Sequence, residues 1–447
     1  HQALHSFPTR RSSDLLVAMV KVRPSRPRPL TLRFLPDWLA LLKLTNFLSI
    51  IQRSHNNGRG RQMIYFDNSA TTKISPEALA TYNKVSTDFF GNPSSLHALG
   101  TRANEVLQSS RAQIAQLIGA KPNEIYFTSG GTESDNWVIK GTAMAKREFG
   151  RHLITTSIEH PAVINTMKQL EKLGFDVTYL PVDHRGFINI DDLKAAIRKD
   201  TILVSIMAVN NEIGSMQPIV EAARVLDAYP NIHFHVDAVQ AVGKGLDAAL
   251  QDPRIDFMSF SGHKFHAPRG TGFIYAKEGR MIAPLLTGGG QENDWRSGTE
   301  NVPAIAAMAK SLRLLLANEA DNVARQQAVR KRIYDHVSQK PKVTMFSQLT
   351  PDFAPHVLCF AIAGVRGETI VHAFEAQAIY ISTTSACSSK KGTESSTLAA
   401  MHTDSRIATS AIRVSLDEAN TLAEADAFNK AFDTIYAKFA KLDKATV

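Results

Sequence analysis

From about residue 100 onward, the hydrophobic positions alternate between two spacings, which predicts alternating helices and strands. In residues 101–120, apolar residues recur every three or four positions, as on one face of a helix. Residues 124–131 form a predicted strand that ends in a glycine turn, and a helix follows from Thr132 to Lys146. Runs rich in Val, Ile, Phe and Thr predict five more strands: HLITTSIEH, FDVTYLPVD, TILVSIMAVN, IHFHVDAV and DFMSFSGHK. Because these strands are largely apolar and separated by helices, they favour a parallel sheet that is buried on both faces.

The pattern changes after about residue 310. One long helix is predicted over residues 304–339, and it leads to a smaller region with three strands: HVLCFAIAG, IYISTT and AIRVSL. This region is typical of a second domain of α+β type, and the length of the chain also favours two domains.

The excess of basic residues belongs to the first 62 residues. The chain has 51 Lys and Arg against 42 Asp and Glu, but 11 of these basic residues and two of the acidic ones fall within residues 1–62. The rest of the chain is formally neutral, which argues against direct binding of nucleic acid or of an anionic membrane. We expect residues 1–62 to be a non-native or disordered leader, with Met63 as the start. An Arg-rich transit peptide is the alternative.

Cysteine is rare in this chain. The two cysteines, Cys359 and Cys387, argue against a disulfide framework and for a reducing compartment, so we expect a cytoplasmic protein. No C-x-x-C pair and no His/Cys cluster has the spacing of a zinc site, and no metal is predicted. Cys359 lies in an apolar strand and is expected in the core. Cys387 lies among small polar residues in TTSACSSKK and is expected on a mobile loop.

Polar residues follow the predicted strands at the points where the strands end. They are SGGTES (129–134), His160, Asn211, Asp237 with Gln240, and SGHK (261–264). In open parallel sheets, ligands bind beyond the carboxyl ends of the strands. We therefore expect these five groups to line one site.

Three of these groups suit one cofactor. A glycine turn before a helix can bind a phosphate through free N–H groups, although a tight turn capped by Thr132 is the alternative. Asp237 follows an apolar strand and needs a cationic or donor partner, unless it caps a helix. A desolvated Lys264 can form a Schiff base, although most lysines are surface charges. Together these groups indicate pyridoxal 5′-phosphate (PLP), with His160 stacking on the ring, moving protons, or only capping the turn before Pro161.

Ten stretches, in order, resemble the cysteine desulfurases, which belong to the class V aminotransferases among the fold-type I PLP enzymes. The stretches are YFDNSATT, FGNPSSLHALG, FTSGGTESDN, IEHPAV, NNEIGSMQPI, FHVDAVQAVGK, SFSGHKFHAPRGTG, GGGQENDWRSGTEN, SACSS and AIRVSL. The resemblance runs from Met63 to about Ala440 and implies an α/β fold. Its large PLP-binding domain (77–315) has a mainly parallel seven-stranded sheet. A smaller α+β domain (316–447) carries the cysteine loop, and residues 63–76 pack with it.

The resemblance also implies a role for each site residue. Lys264 carries PLP, Asp237 pairs with the ring nitrogen, and His160 lies over the ring. The other implied cofactor contacts are Asn211 and Gln240 near the phenolic oxygen, Gly131, Thr132, Ser261 and His263 at the phosphate, and Thr299 at the phosphate of a partner subunit. The last contact implies a homodimer with shared sites. Arg413, assisted by Asn68, would bind the substrate carboxylate, which suits a guanidinium fork.

By the same resemblance, Cys387 is the catalytic nucleophile. Its thiolate would attack the sulfur of L-cysteine bound to PLP, giving L-alanine and an enzyme persulfide. Lys390 and Lys391 could favour the thiolate by lowering its pKa. The persulfide sulfur would pass to an acceptor, for which an iron–sulfur scaffold protein and a tRNA-thiolating enzyme both remain open.

The chain departs from the long-Cys-loop branch of the family after Arg413, where it reads SLDEANTLAEAD, although the 26-residue separation of Cys387 and Arg413 fits that branch. This departure leaves the acceptor open. A selenocysteine lyase and an aminotransferase on the same fold are alternatives. A non-enzymatic nucleic-acid-binding or sulfur-relay protein is a third, but intact Lys264, Asp237 and Cys387 argue against it.

Overall fold

The computed structural model describes residues 62–384 and 395–442. The expected leader (all but its last residue) and Cys387 therefore lie outside the described residues. The strands are β1 Ile64–Tyr65, β2 Ile125–Thr128, β3 His152–Thr156, β4 Asp176–Leu180, β5 Thr201–Met207, β6 His233–Asp237, β7 Phe257–Ser261, β8 Gly272–Ala276, β9 Val343–Met345, β10 Val357–Ile362, β11 Ile379–Tyr380, β12 Ser382–Thr383 and β13 Ala411–Ser415. The helices are α1 Pro76–Asp88, α2 Ala98–Leu117, α3 Gly131–Lys146, α4 Pro161–Glu171, α5 Ile190–Ala196, α6 Ile219–Leu226, α7 Asp247–Leu250, α8 Val302–Ala317, α9 Glu319–Val337, α10 Gly367–Glu375, α11 Ser396–Ala400, α12 Ser405–Ala408 and α13 Leu422–Leu442.

Seven strands form the central sheet in the order β2-β8-β7-β6-β5-β3-β4. The strands β7, β6, β5, β3 and β4 pair in parallel, whereas β8 runs antiparallel to both of its neighbours. Every residue of β3, β5, β6 and β7 is buried, because helices cover both faces of the sheet. The α/β fold with a mainly parallel seven-stranded sheet is therefore confirmed.

A second, antiparallel sheet has the order β12-β13-β10-β9. Successive residues of β10 point to opposite faces, so that Leu358 and Phe360 pack in an aromatic-rich cluster with Phe428, while Cys359 packs in the core around the central sheet. Cys359 is fully buried, as expected from its apolar surroundings. The N-terminal segment joins this region, because β1 pairs in parallel with β11. The domain boundaries themselves stay predictions.

The single helix predicted over residues 304–339 is wrong, because the structure has two helices, α8 and α9, that meet at Asn318. The backbone of Asn318 leaves the helical region, at φ −126° and ψ 24°, and its N–H group bonds back to Leu315 and Leu316. Its side chain also donates to Leu314 O at 3.5 Å. Asparagine forms such local side-chain bonds readily, which makes it a weak helix former.

Other details of the strand prediction also differ from the structure, and the short strands β1 and β9 were not predicted. IYISTT is not one strand: residues 379–380 pair with β1, and residues 382–383 pair with β13. The strand β8 was not predicted, because its five residues follow a glycine-rich turn and carry no alternating pattern. No helix in residues 62–384 or 395–442 is long and apolar enough to cross a membrane.

Candidate active site

Lys264 lies where several strands of the central sheet end, in a short 3-10 turn directly after β7. Its Nζ donates to the backbone oxygens of Ser69, at 2.5 Å, and Ala70, at 2.9 Å. Gln240, from the segment after β6, donates through Nε2 to the same Ser69 oxygen at 3.0 Å. The structure therefore brings the predicted lysine and glutamine together over the N-terminal segment, as the strand-end pattern suggested.

Asp237 is the last residue of β6, and 6% of its surface is exposed. Its Oδ1 accepts a hydrogen bond from Val239 N at 2.9 Å, so the carboxylate caps the turn after the strand and not a helix. Burial raises the pKa of Asp237 to about 6, although the Val239 N–H group and the charge of Lys264 oppose this shift. At neutral pH Asp237 is therefore an ionised, buried carboxylate on which Lys264 acts electrostatically.

His160 precedes α4 and caps it, because its Nδ1 accepts a hydrogen bond from Ala162 N at 3.1 Å. The capping alternative is thus correct for one ring nitrogen. Nε2 hydrogen-bonds no residue in the described ranges, so the cap leaves this nitrogen for a ligand. Burial, together with the charge of Lys264, lowers the pKa of His160 to about 4, so its imidazole is neutral at physiological pH.

The glycine turn after β2 shapes the start of α3. Gly130 is the N-cap at φ +147°, in a region that favours glycine, and no side chain caps the first turn. A Cβ atom on Gly131 would lie 2.8 Å from Val239 Cγ2 and 3.4 Å from Ser261 Cβ, so a side chain would not fit there. The alternative in which Thr132 caps the helix is wrong, because Thr132 is already the second helical residue. The uncapped N–H groups can serve an anion.

His263 and Ser261 lie next to Lys264 in sequence. Ser261 is buried at the end of β7 and packs against the start of α3. His263 Nδ1 lies 3.2 Å from Thr71 Oγ1, and burial, with Lys264 and Arg269, lowers the pKa of His263 to about 4. Both predicted phosphate residues thus border the same turn as Lys264.

Arg413, in β13, extends the site toward the second sheet. Its Nη1 donates to the backbone oxygen of Asn211 at 2.9 Å, and its Nη2 pairs with Asp67 Oδ1 at 3.0 Å. Its buried Nε has no partner in the described ranges. Burial raises the pKa of Asp67, an effect that the Arg413 charge opposes. The guanidinium is therefore held in place with donor capacity to spare.

Asn68 is fixed from three sides. Its Nδ2 donates to Tyr65 O at 3.2 Å, to Ser415 O at 3.2 Å and to Asn420 Oδ1 at 3.4 Å. Its Oδ1 is buried and accepts no hydrogen bond within the described ranges. A buried oxygen without a donor is costly, so this atom is suited to a ligand's N–H or O–H group.

Thr299 is not joined to this group, and Cys387 lies outside the described residues. Thr299 is exposed, in the segment before α8, and no hydrogen bond connects it to Lys264 or Arg413 in the described part of the chain. The same segment is tied to the first turn of α3, because Arg296 Nε lies 2.7 Å from Glu133 Oε1. Cys387 falls within residues 385–394, outside the described residues, so its role stays a prediction.

Three residues near the site were missed from the sequence. Asp67, which holds Arg413, stands next to Asn68 in YFDNSATT. Asp135 and Glu159 lie in the stretches FTSGGTESDN and IEHPAV, and both are buried close enough for the charge of Asp237 to affect their pKa values. All three stand inside motifs that carry the family resemblance, which is the signal that could have found them.

Known proteins match this chain over nearly all of its described length. The family model "Aminotransferase class-V" matches residues 64–428. A NifS/IcsS protein homolog of Lactobacillus delbrueckii subsp. bulgaricus is 61% identical and covers 85% of this chain and 99% of its own length. Cysteine desulfurase IscS of Methanosarcina thermophila is 41% identical and covers 86% and 94%. A solved NifS-like protein is 37% identical, with a TM-score of 0.79, and covers 84% of this chain and 100% of its own.

These matches confirm the resemblance that the ten sequence stretches carry. The chain therefore belongs to the class-V aminotransferase family, in its group of NifS- and IscS-type cysteine desulfurases.

Proposed function

We propose that this protein is a PLP-dependent cysteine desulfurase that converts L-cysteine into L-alanine and a persulfide on Cys387. The observation that carries the proposal is the meeting of Lys264, Asp237 and the uncapped start of α3 at one edge of the central sheet. A lysine amine, a buried carboxylate and a phosphate-sized set of N–H donors are the groups that PLP requires.

The described residues fit the cofactor. Gly131 lets the start of α3 pack closely against Val239 and Ser261, and the first turn has no side-chain cap, so its N–H groups are left for a phosphate. Lys264 would hold PLP covalently, and Asp237 would accept from its ring nitrogen. The remaining proposed cofactor contacts are His160, Asn211, Gln240, Gly131, Thr132, Ser261, His263 and, from a second copy of the chain, Thr299.

Arg413 would bind and orient the substrate. Two of its N–H groups are used by Asp67 and Asn211, and a guanidinium has five, so three remain for a carboxylate. Asp67 prevents the guanidinium from rotating away. The side chain of Asn68, with its unpaired Oδ1, is placed to support the substrate beside it.

Protons are handled by Lys264 and His160. A lysine amine next to the substrate can take a proton from its α-carbon or return one to it. The imidazole of His160 is neutral at physiological pH, because burial and Lys264 hold its pKa at about 4. Since Nδ1 accepts from Ala162 N, the neutral ring carries its proton on Nε2 and can donate that N–H group to a ligand.

Cys387 would take the sulfur. When bound, PLP supplies an electron sink that makes the bond between the substrate β-carbon and its sulfur labile. The Cys387 thiolate forms a bond to that sulfur as the carbon–sulfur bond breaks, and the β-carbon gains a proton. L-Cysteine and a thiol thus give L-alanine and a persulfide, with no external oxidant or reductant.

The proposal includes three partners. They are L-cysteine, a second copy of this chain that shares its Thr299, and a sulfur-acceptor protein, either an iron–sulfur scaffold or a tRNA-thiolating enzyme. The use of only two cysteines in the chain favours a reducing compartment, which agrees with a cytoplasmic location.

The test measures both products together. PLP-loaded protein is incubated with L-cysteine and a thiol reductant, and sulfide and alanine are quantified. We expect equal yields, with sulfide lost in Cys387→Ala while the yellow colour of bound PLP remains. Cys359→Ala is the matched control, since the Cys359 thiol is fully buried in β10 and should not affect turnover.

Either of two outcomes would contradict this function. A PLP-loaded protein that releases neither product would favour transamination or another elimination on the same fold. Sulfide release by Cys387→Ala at the wild-type rate would show that Cys387 is not the nucleophile.

A further inference from the structure

Three carboxyl groups are buried together at the carboxyl end of the central sheet. Asp237 ends β6, Asp135 lies on α3, and Glu159 lies between β3 and α4. Their exposed fractions are 6%, 1% and 2%. We name these three residues the acid cluster. Buried carboxylates without cations are costly, so the cluster must hold fewer than three charges.

Glu159 is tied to the strand beside Asp237. Its Oε1 accepts from Thr156 Oγ1 at 2.9 Å and from Met207 N at 2.8 Å. Met207 is paired with Asp237 across β5 and β6, and Ala208 N donates to the Asp237 backbone oxygen at 2.9 Å. The other oxygen, Oε2, is buried with no hydrogen-bond partner among residues 62–384 and 395–442. One oxygen is thus a double acceptor, and the other is buried without the donor that a carboxylate oxygen needs, which favours the neutral form of Glu159.

Asp135 is linked to the other side of Asp237 by way of Ser259 and His235. Ser259 pairs with Asp237 across β6 and β7, and its Oγ lies 2.9 Å from His235 Nε2. That nitrogen is 3.7 Å from Asp135 Oδ1, an atom that no described residue hydrogen-bonds. The other His235 nitrogen lies 2.9 Å from Ser205 Oγ. Burial lowers the pKa of His235 to about 3, so the histidine is neutral and does not balance a charge on Asp135.

The charges around the acid cluster favour one ionised member. Burial and the charge of Asp237 raise the pKa of Glu159 to about 8. Burial and Asp237 likewise raise the pKa of Asp135 well above its usual range, although a Ser259 hydrogen bond opposes the shift. Lys264 acts on Asp237, whose pKa is about 6, and the neighbouring His160 is neutral. Asp237 is therefore the acid that loses its proton first.

We propose that Asp135 and Glu159 are protonated positioning residues that leave the single negative charge of the acid cluster on Asp237. The inference rests on the proposed function in one respect: that charge would then serve the ring nitrogen of PLP. A second charge in the cluster would repel the first, and Asp237 would bind a proton more readily. Because Asp135 and Glu159 are neutral, they are buried beside Asp237 without repelling its charge, and Asp237 stays ionised.

The test compares Glu159→Gln with the wild type in urea unfolding of the full-length, PLP-loaded protein between pH 5 and 8. A carboxyl group whose folded pKa is raised contributes stability that is fully present below its unfolded pKa, near 4.5, and is lost as the pH rises through the folded value, about 8. Over that window, each such group lowers the folding constant by up to about tenfold per pH unit. Glutamine imitates the neutral acid and cannot titrate.

We therefore expect the folding constant of Glu159→Gln, relative to the wild type, to rise by at least about tenfold from pH 5 to pH 8. Glu105→Gln is the matched control, since Glu105 is exposed on α2 and the ratio should stay flat. A flat ratio for Glu159→Gln would overturn the proposal, because Glu159 would then already be ionised in the folded protein at pH 5.

Infrared spectroscopy gives a second readout that does not depend on a stable variant. At pH 7 the wild type should show the carbonyl band of a protonated carboxyl group, and the band should weaken in Glu159→Gln and in Asp135→Asn. Its absence from the wild type would overturn the proposal. Repeating both readouts on protein without added PLP separates the two proposals. A wild type that shows the pH slope and the variant-sensitive band but binds no PLP would refute the proposed function and leave the protonation standing.

Discussion

The central sheet has buried carboxyl groups at both of its ends. They differ in how far positively charged side chains balance them. At the amino end, Asp256 precedes β7 and is fully buried. Its carboxylate accepts from Arg254 Nη1 and Arg280 Nε, both at 2.8 Å, and from Phe234 N at 2.9 Å. At the carboxyl end, Lys264 acts electrostatically on Asp237 of the acid cluster, and the nearby His160 and His235 are neutral.

The amino end of the sheet therefore contributes to the stability of the fold, whereas the carboxyl end is suited to binding a ligand. Asp256 has two cations and a backbone donor, so it is matched within the fold, and removing it would leave two buried guanidinium groups unpaired. The charge of the acid cluster is balanced only in part by Lys264, because burial still raises the pKa of Asp237, so this charge is available to a ligand. In open α/β sheets the ligand edge lies beyond the carboxyl ends of the strands, which is where this imbalance occurs.

The largest expected effect is on activity, from a change at the carboxyl end. Asp237→Asn keeps the shape of the side chain but removes the charge that would pair with the PLP ring nitrogen. Loss of one partner of a buried pair costs about 3–5 kcal/mol, so we expect kcat/KM for sulfide release to fall by roughly 10²- to 10⁴-fold. Unfolding in urea without PLP should change little, because burial disfavours this charge in the fold and the Val239 N–H group and Lys264 offset that cost only in part. Wild-type turnover in Asp237→Asn would contradict the assignment of catalysis to the carboxyl end of the sheet.

A change at the amino end should affect stability instead. Asp256→Ala leaves Arg254 and Arg280 buried without their carboxylate, and we expect a loss of about 3 kcal/mol in the free energy of unfolding. Turnover per folded molecule, measured well below the unfolding transition, should match the wild type. If the variant lost PLP while it kept its stability, the division between the two ends would be wrong.

A smaller effect is expected at Glu418, which is matched in the same manner as Asp256. Its Oε1 lies 2.9 Å from Lys244 Nζ and its Oε2 lies 2.6 Å from His266 Nε2. Although burial opposes the shift, Lys244 and His266 hold the pKa of Glu418 far below its usual range. Glu418→Gln should cost about 2 kcal/mol at pH 7, the scale of hydrogen bonds to charged groups.

The loss of unfolding free energy in Glu418→Gln should depend on pH with the opposite sign to the effect expected for Glu159→Gln. A carboxyl group with a depressed folded pKa contributes stability that is present above its unfolded pKa, near 4.5, and lost as the pH falls toward the folded value. The difference between wild type and Glu418→Gln should therefore shrink below about pH 4.5. Urea midpoints at pH 7 and pH 4 measure this, and a difference that grows on acidification would contradict the pairing.

The sheet and its ligand edge could be predicted because each depends on local sequence. Apolar runs mark strands that are buried on both faces, and a polar residue after each run marks the edge at which the strands end. Lys264 and Asp237 were found in this way. The strand β8 was missed because five residues after a glycine turn carry little periodicity, and the break at Asn318 depends on a single residue within an otherwise helical pattern.

The electrostatic arrangement of the site could not be predicted from the pattern. Asp135 stands in a helix and Glu159 in a turn, and each has the sequence surroundings of an ordinary surface acid. Their burial beside Asp237 arises from contacts between α3, the segment after β3, and β6, which are far apart along the chain. The same holds for Asp67, whose partner Arg413 is 346 residues away.

The central claim is that Lys264 holds PLP at the carboxyl edge of the central sheet. The most direct measurement is to load the full-length protein with PLP, reduce it with borohydride, digest it and locate the added mass by mass spectrometry. We predict that the pyridoxyl group is found on Lys264 and that Lys264→Ala carries none. A label on another lysine, or none on a protein that still desulfurates cysteine, would contradict the account.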